Sequence, residues 1–143
     1  MYKLLNSAEM KQCDRNTMEY YGIPSAVLME RAALAVFAEV SRRIEKNAGR
    51  ILIVCGSGNN GGDGLAIGRL LSPKGAEVTF YLEGNPDKLS KETKAQAEIL
   101  KNMGFSIQSK YQDAEYDMVV DALFGIGLSR EVTGSFREAI DYI

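Results

Sequence analysis

The stretch ILIVCGSGNNGGDG, residues 51–64, constrains this chain more than any other. Ile51 to Cys55 is an unbroken apolar run with β-branched members, as expected of a strand buried on both faces. A loop that only turns the chain needs one or two glycines. Here Gly56, Gly58, Gly61 and Gly62 surround Asn59 and Asn60, with Asp63 following. The glycines predict close backbone approach and positive φ, and the asparagines supply amide donors and acceptors. Between a buried strand and a helix, such a loop belongs at the ligand crevice of a parallel sheet. The helix start adds free N–H groups and a positive dipole end.

The rest of the chain fits that setting. Asn6 and Glu9 have capping-box spacing for a first helix running to about Tyr21, where Gly22 and Pro24 break it. A second helix is expected from Ser25, with Leu28, Ala32, Val36, Val40 and Ile44 as its apolar face. A helix from about Asp63 to Leu71 ends at Pro73 and Gly75, and Val78 to Leu82 reads as the next strand. Asn85 and Pro86 turn the chain, and Ser90 caps a helix carrying Ala97, Leu100 and Met103. Phe105 to Gln108 is a weak strand, Met118 to Leu123 a stronger one, and Glu131 onward reads as helix. Strands alternating with helices imply a parallel sheet between helical layers. The last residues, FREAIDYI, read as the middle of a helix, with neither glycine cap nor proline stop, so a longer parent sequence is expected.

Composition excludes several chemistries. The chain of 143 residues suits one domain and carries a formal charge of -2, with no basic run for nucleic acid or lipid. No stretch has the length of a membrane span. Histidine is absent, so a Ser-His-Asp triad, a Cys-His pair and a histidine-ligated zinc cannot be built from these residues. Acid–base work falls to carboxylates, lysine, tyrosine or water. Cys13 and Cys55 lie far apart without metal-site spacing, and a reducing, cytoplasmic setting is the simplest reading.

Read on its own, the glycine loop leaves alternatives open. It is a strand-to-helix turn capped by Asp63, a G-x-G-x-x-G dinucleotide fingerprint with Glu83 as the ribose-binding acid, or part of a site completed elsewhere. A Walker phosphate loop is excluded because no Gly-Lys-Ser/Thr follows. The second loop, DALFGIGLSR at 121–130, falls at the same sheet edge. Asp121 and an amide oxygen from the first loop can together hold a hard monovalent cation, or Asp121 caps its own turn. Arg130 can fork onto a phosphate or form a surface ion pair.

Three blocks together resemble the NAD(P)HX epimerase family, the YjeF N-terminal domain. They are Met10 and Asp14 with GIPSAVLMERAA (22–33), GSGNNGGDGLAIGRLL (56–71) and VVDALFGIGLSREVTG (120–134). The resemblance covers nearly the whole chain. Its departures are small residues exchanged at Ala33 and Gly68, and Glu131 where proline is frequent. It implies a three-layer α/β/α Rossmann-like sandwich with a mainly parallel sheet and two N-terminal helices. It also implies interconversion of the R and S forms of hydrated NADH and NADPH, with a dehydratase, fused or separate, consuming the S form. Potassium falls to Asn60 and Asp121. Substrate contacts fall to Asn59, Asn60, Gly61, Gly62 and Asp63. A second substrate-binding run comprises Gly125, Ile126, Gly127, Leu128, Ser129, Arg130 and Glu131. The family's further strand, ending in D-x-P-S-G, lies beyond Ile143, so residues 1–143 are expected to be an incomplete domain whose own activity depends on that strand.

Asp63 and Asp121 are the carboxylates expected to handle the proton. The rivals are a non-catalytic interaction module of the same fold, expected to lose part of the NNGGD and Asp121 constellation, and an NAD-dependent dehydrogenase. The apolar N-terminal helices fit either a homodimer or packing on the domain's own sheet. The epimerase reading requires the two loops to converge on one rim.

Overall fold

The first helix starts as its capping box dictates. A computed structural model of the chain describes residues 4–44, 49–111, 114–129 and 131–143. In α1 (Ser7–Glu19) the Asn6 side chain accepts from the amides of Ala8 and Glu9, and the Glu9 carboxylate accepts from the Asn6 amide. Gly22, at a φ of 69°, turns the chain into α2 (Ser25–Arg43).

The sheet has four strands in the order β3-β2-β1-β4, every pair parallel. They are β1 (Arg50–Cys55), β2 (Glu77–Leu82), β3 (Ile107–Gln108) and β4 (Met118–Ala122). Central β1 is buried on both faces from Ile51 to Cys55. On one face Ile51, Ile53 and Cys55 pack with α3 (Asn59–Leu71) and with Leu100 of α4 (Lys91–Asn102). On the other, Leu52 and Val54 meet Tyr81, Leu123 and Ala139 of α5 (Ser135–Tyr142). Each fully buried aliphatic side chain is worth ~1.5–3 kcal/mol of transfer free energy, so the strand alternation fixes both layers at once. The result is the three-layer α/β/α arrangement.

Several expected boundaries and faces shift. The helix after the glycine loop begins at Asn59, four residues before Asp63, so NNGGD forms its opening turns. α5 begins at Ser135 rather than near Glu131, because Gly134 at a φ of 61° makes the bend before it. In α2 the buried residues are Met29, Ala33 and Val40, while Ala32 and Val36 are exposed. The sequence AVLMERAALAVFAEV is apolar on so many sides that its phase is set by the neighbours. Arg69 of α3 settles it by pairing with Glu30 of α2 and donating to Gln96 of α4. Of Ala97, Leu100 and Met103, read together on this helix, Leu100 is buried and Met103, the C-cap of α4, is exposed. No helix among the described residues is long and apolar enough to cross a membrane.

Candidate active site

The glycines of the first loop serve packing. Among the described residues positive φ occurs at Gly22, Gly75, Gly84, Gly104 and Gly134, and at none of the four loop glycines. A Cβ on Gly61 would lie 1.7 Å from the Gly56 carbonyl oxygen, and one on Gly56 would lie 2.1 Å from the Leu123 carbonyl oxygen. Bare backbone is therefore stacked on bare backbone, from the first loop to the helix start and across to the second loop.

Neighbouring elements hold this stack. The Ser90 amide donates to the Ser57 carbonyl at 2.9 Å, and the buried Thr93 hydroxyl donates to the Gly58 carbonyl at 2.8 Å. Thr93, invisible to motif reasoning, thus ties α4 to the N-cap of α3. Gly58 is that cap, so Asp63, five residues further on inside the helix, is free of the capping role. The two loops converge as expected: the Asn60 side-chain amide donates to the Phe124 carbonyl at 3.0 Å.

Between them opens a cleft of about 710 Å³. Asn59, Asn60 and Asp63 line it from α3, Gly125 to Ser129 from the second loop, Phe136 from α5, and Lys11 and Asp14 from α1. Glu131 lines a smaller adjoining cavity with Phe124, Leu128 and Phe136. Gly61 and Gly62 are buried beneath the cleft. Arg130 lies outside the described residues. Asp121 sits at the end of β4, outside the lining, and its carboxylate accepts from the Leu123 amide at 2.9 Å. It caps its own turn, which was one of its two sequence readings.

Electrostatics single out Asp63. Burial, and then the negative charge of Asp14, push its carboxyl up to about 6. A carboxyl titrating there can both give and take a proton near neutrality. Glu83, the ribose-binding acid of the dinucleotide alternative, is buried and accepts from Tyr81 and, at 2.5 Å, from Ser135. It is spent inside the fold, which removes that fingerprint's acidic partner. Burial drives the Cys55 thiol far up and leaves it a core residue. Among the described residues no three His, Cys, Asp or Glu side chains cluster as a metal site. The oxygen donors near the loop junction are the Asn60 amide, the backbone carbonyls and Asp121, a hard and weakly charged set suited to an alkali cation rather than zinc.

Comparison with known proteins agrees with this geometry. The family described as YjeF-related protein N-terminus matches residues 25–143. A protein of Oenococcus oeni named NAD(P)H-hydrate epimerase is 42% identical over 140 residues, covering 97% of this chain and 67% of its own length. One of Moorella thermoacetica, named bifunctional NAD(P)H-hydrate repair enzyme Nnr, is 40% identical over 152 residues, covering 98% of this chain and 29% of its own. The crystal structure of yeast ynu0 superposes with a TM-score of 0.82 at 22% identity, over 98% of this chain and 64% of that one, and speaks for the fold alone. The chain spans about two thirds of the length of the curated epimerases it matches. With the family model matched through both loops and the fold reproduced, the chain belongs to the YjeF-related protein N-terminus family.

Proposed function

We propose that this chain carries the epimerase site of an NAD(P)H-hydrate repair enzyme, interconverting the R and S forms of hydrated NADH and NADPH. The observation that carries the reading is the bond from Asn60 to the Phe124 carbonyl, which joins NNGGD to the second loop over a cleft containing Asp63. The names of the relatives supply the substrate class.

The substrate bears a hydroxyl on a carbon bonded to the ring nitrogen. Inversion there requires the C–O bond to break with protonation of the leaving hydroxyl, the nitrogen lone pair to form a ring iminium, and water to add on the other face. Asp63 is the proton donor or acceptor best placed by geometry and by its raised pKa. The first turn of α3 presents backbone N–H groups suited to anionic oxygens. Asn59 and Asn60 from that turn, with Gly125 to Ser129 and Glu131, hold the nucleotide above the buried Gly61 and Gly62. Asn60 and Asp121 would hold a potassium ion, which supplies a fixed positive charge when bound.

The test adds a mixture of R and S hydrates and follows exchange by chromatography, with binding followed by NMR of the chain. Accelerated exchange or specific binding of the hydrates, stronger in potassium than in lithium and weakened by Asn60→Ala, is expected. Neither exchange nor binding would overturn the reading, and steady NADH formation from simple alcohols and NAD would favour a dehydrogenase instead. The bifunctional Moorella relative makes a fused or separate dehydratase the natural partner. The exposed Val27, Leu34 and Val36 of α2, with Met10 and Met18 of α1, add a homodimer to the proposal. Sedimentation at high concentration is expected to show dimer, and monomer alone would dispose of it.

A further inference from the structure

Helix α1 has no fully buried residue: Met10, Asp14 and Met18, four residues apart, share one face, with the methionines still 43% and 37% exposed. Its partly buried residues are Asp14 and Thr17. The Thr17 hydroxyl donates to the Cys13 carbonyl within the helix, at 2.8 Å. Asp14, with Lys11 one turn before it, lines the cleft. On its cleft side α1 thus presents a carboxylate, and it precedes the segment matched by the family model.

The charged side chains among the described lining residues are Lys11, Asp14 and Asp63. Among the described residues no hydrogen bond or ion pair occupies the carboxylate of Asp14 or of Asp63, and the two interact through their charges. Like charges held together in a partly desolvated cleft oppose simultaneous ionisation. Such a pair in one cleft suits a reaction that needs one protonated and one ionised carboxyl, since environments that separate two such groups assign the acid and the base. The other sequence candidate, Asp121, points its carboxylate into its own turn.

We propose that Asp14 is the partner carboxylate of Asp63, and that the pair divides the proton work of epimerisation between the two faces of the substrate ring. This rests on the epimerase reading. One carboxylic acid gives its proton to the leaving hydroxyl, which departs as water, while the ring nitrogen supplies the electron pair of the iminium. Water then adds to the opposite face and its proton passes to the other carboxylate. Atoms and charge balance, with the proton moved from one carboxyl to the other. The reverse reaction or exchange with solvent restores the starting state. No oxidant or second substrate is required.

Two readouts test this. The first is the titration of the Asp63 carboxyl carbon by NMR in the wild-type chain, Asp14→Asn and Asp14→Glu. Its midpoint, about 6 in the wild type, is expected to fall in Asp14→Asn and to stay raised in Asp14→Glu. The second is epimer exchange, expected to slow ~100-fold or more in Asp14→Asn and to recover in part in Asp14→Glu. An unmoved Asp63 midpoint in folded Asp14→Asn, or wild-type exchange in that variant, overturns the pairing. If the midpoint moves but the wild type neither exchanges nor binds the hydrates, the catalytic division of labour fails together with the epimerase reading; if it binds them without exchange, the division of labour alone fails. Exchange in the wild type with an indifferent Asp14 sinks the pairing alone. Asp14 contributes no core contact, so both variants are expected to fold, and a circular dichroism melt verifies it.

Discussion

Alanine at position 61 is expected to destabilise the fold by about 3 kcal/mol or more, although alanine is the better helix former. In the interior of a helix the exchange of glycine for alanine ordinarily gains ~1 kcal/mol. Here the new methyl would stand 1.7 Å from the Gly56 carbonyl oxygen. That atom belongs to backbone, and Gly56 is itself pinned: its amide donates to the Ala122 carbonyl at 3.0 Å, and a Cβ on it would stand 2.1 Å from the Leu123 carbonyl oxygen. No rotamer change relieves the overlap. Either α3 withdraws from the end of β1, opening the core around Leu65, Ala66 and Cys55, or the second loop lets go. Asn60 would lose its bond to Phe124 in both cases. Gly127→Ala is the control, since a Cβ there meets nothing within 4 Å and φ is not positive. Urea unfolding should show a much lower midpoint for Gly61→Ala with a similar slope, and a midpoint within ~0.5 kcal/mol of wild type for Gly127→Ala. Equal midpoints for the two variants would show that the backbone stack does not constrain the fold.

That contrast marks the boundary of what local sequence could reveal. The capping box of Asn6 and Glu9, the doubly buried β1 and the break at Gly22 depend on neighbours in the chain, and each lies where pattern places it. The role of the glycines depends on tertiary approach. Positive φ and tight packing leave the same letter in the sequence, and Gly64 and Gly68 show which applies: an added Cβ would meet Ala122 at 2.5 Å and the Phe80 ring at 2.2 Å. The start of α3 was obscured for a related reason, because two glycines inside NNGGD resemble a loop until their packing is seen. Convergence of the two loops followed from parallel topology, which sends both strand ends to one edge. The part of Asp14 was hidden, since an aspartate between Met10 and Met18 on one helix face reads as an ordinary polar position until the cleft beside it is seen. The choice at Asp121 rested on a single hydrogen bond to Leu123, too local for topology and too specific for composition.

Asp63→Asn is expected to remove activity and to raise stability at neutral pH, and the two effects share one cause. The unfolded chain releases this proton near 3.8 and the folded chain near 6, because burial and the Asp14 charge disfavour the ionised form. The folded state therefore binds the proton more tightly. Its advantage is complete below about pH 3.8 and is lost as pH rises through about 6, so at pH 7 the wild type holds an ionised carboxylate that its surroundings oppose. Asparagine has nearly the same shape and cannot ionise. The variant should unfold at about the same temperature as the wild type near pH 3.5 and at a higher one at pH 7.5, with the gap opening between pH 4 and 6. Exchange of the R and S hydrates should fall by ~100–10,000-fold, the usual worth of a positioned acid or base. Thermal unfolding followed by circular dichroism at the two pH values, beside the chromatographic assay, measures both. A constant difference in melting temperature across pH would mean that Asp63 titrates alike in both states, and its assignment as the proton-handling group would then lose its electrostatic basis. Asp14→Asn, which removes the smaller of the two causes, should reproduce part of the stabilisation over the same pH window and none of it near pH 3.5.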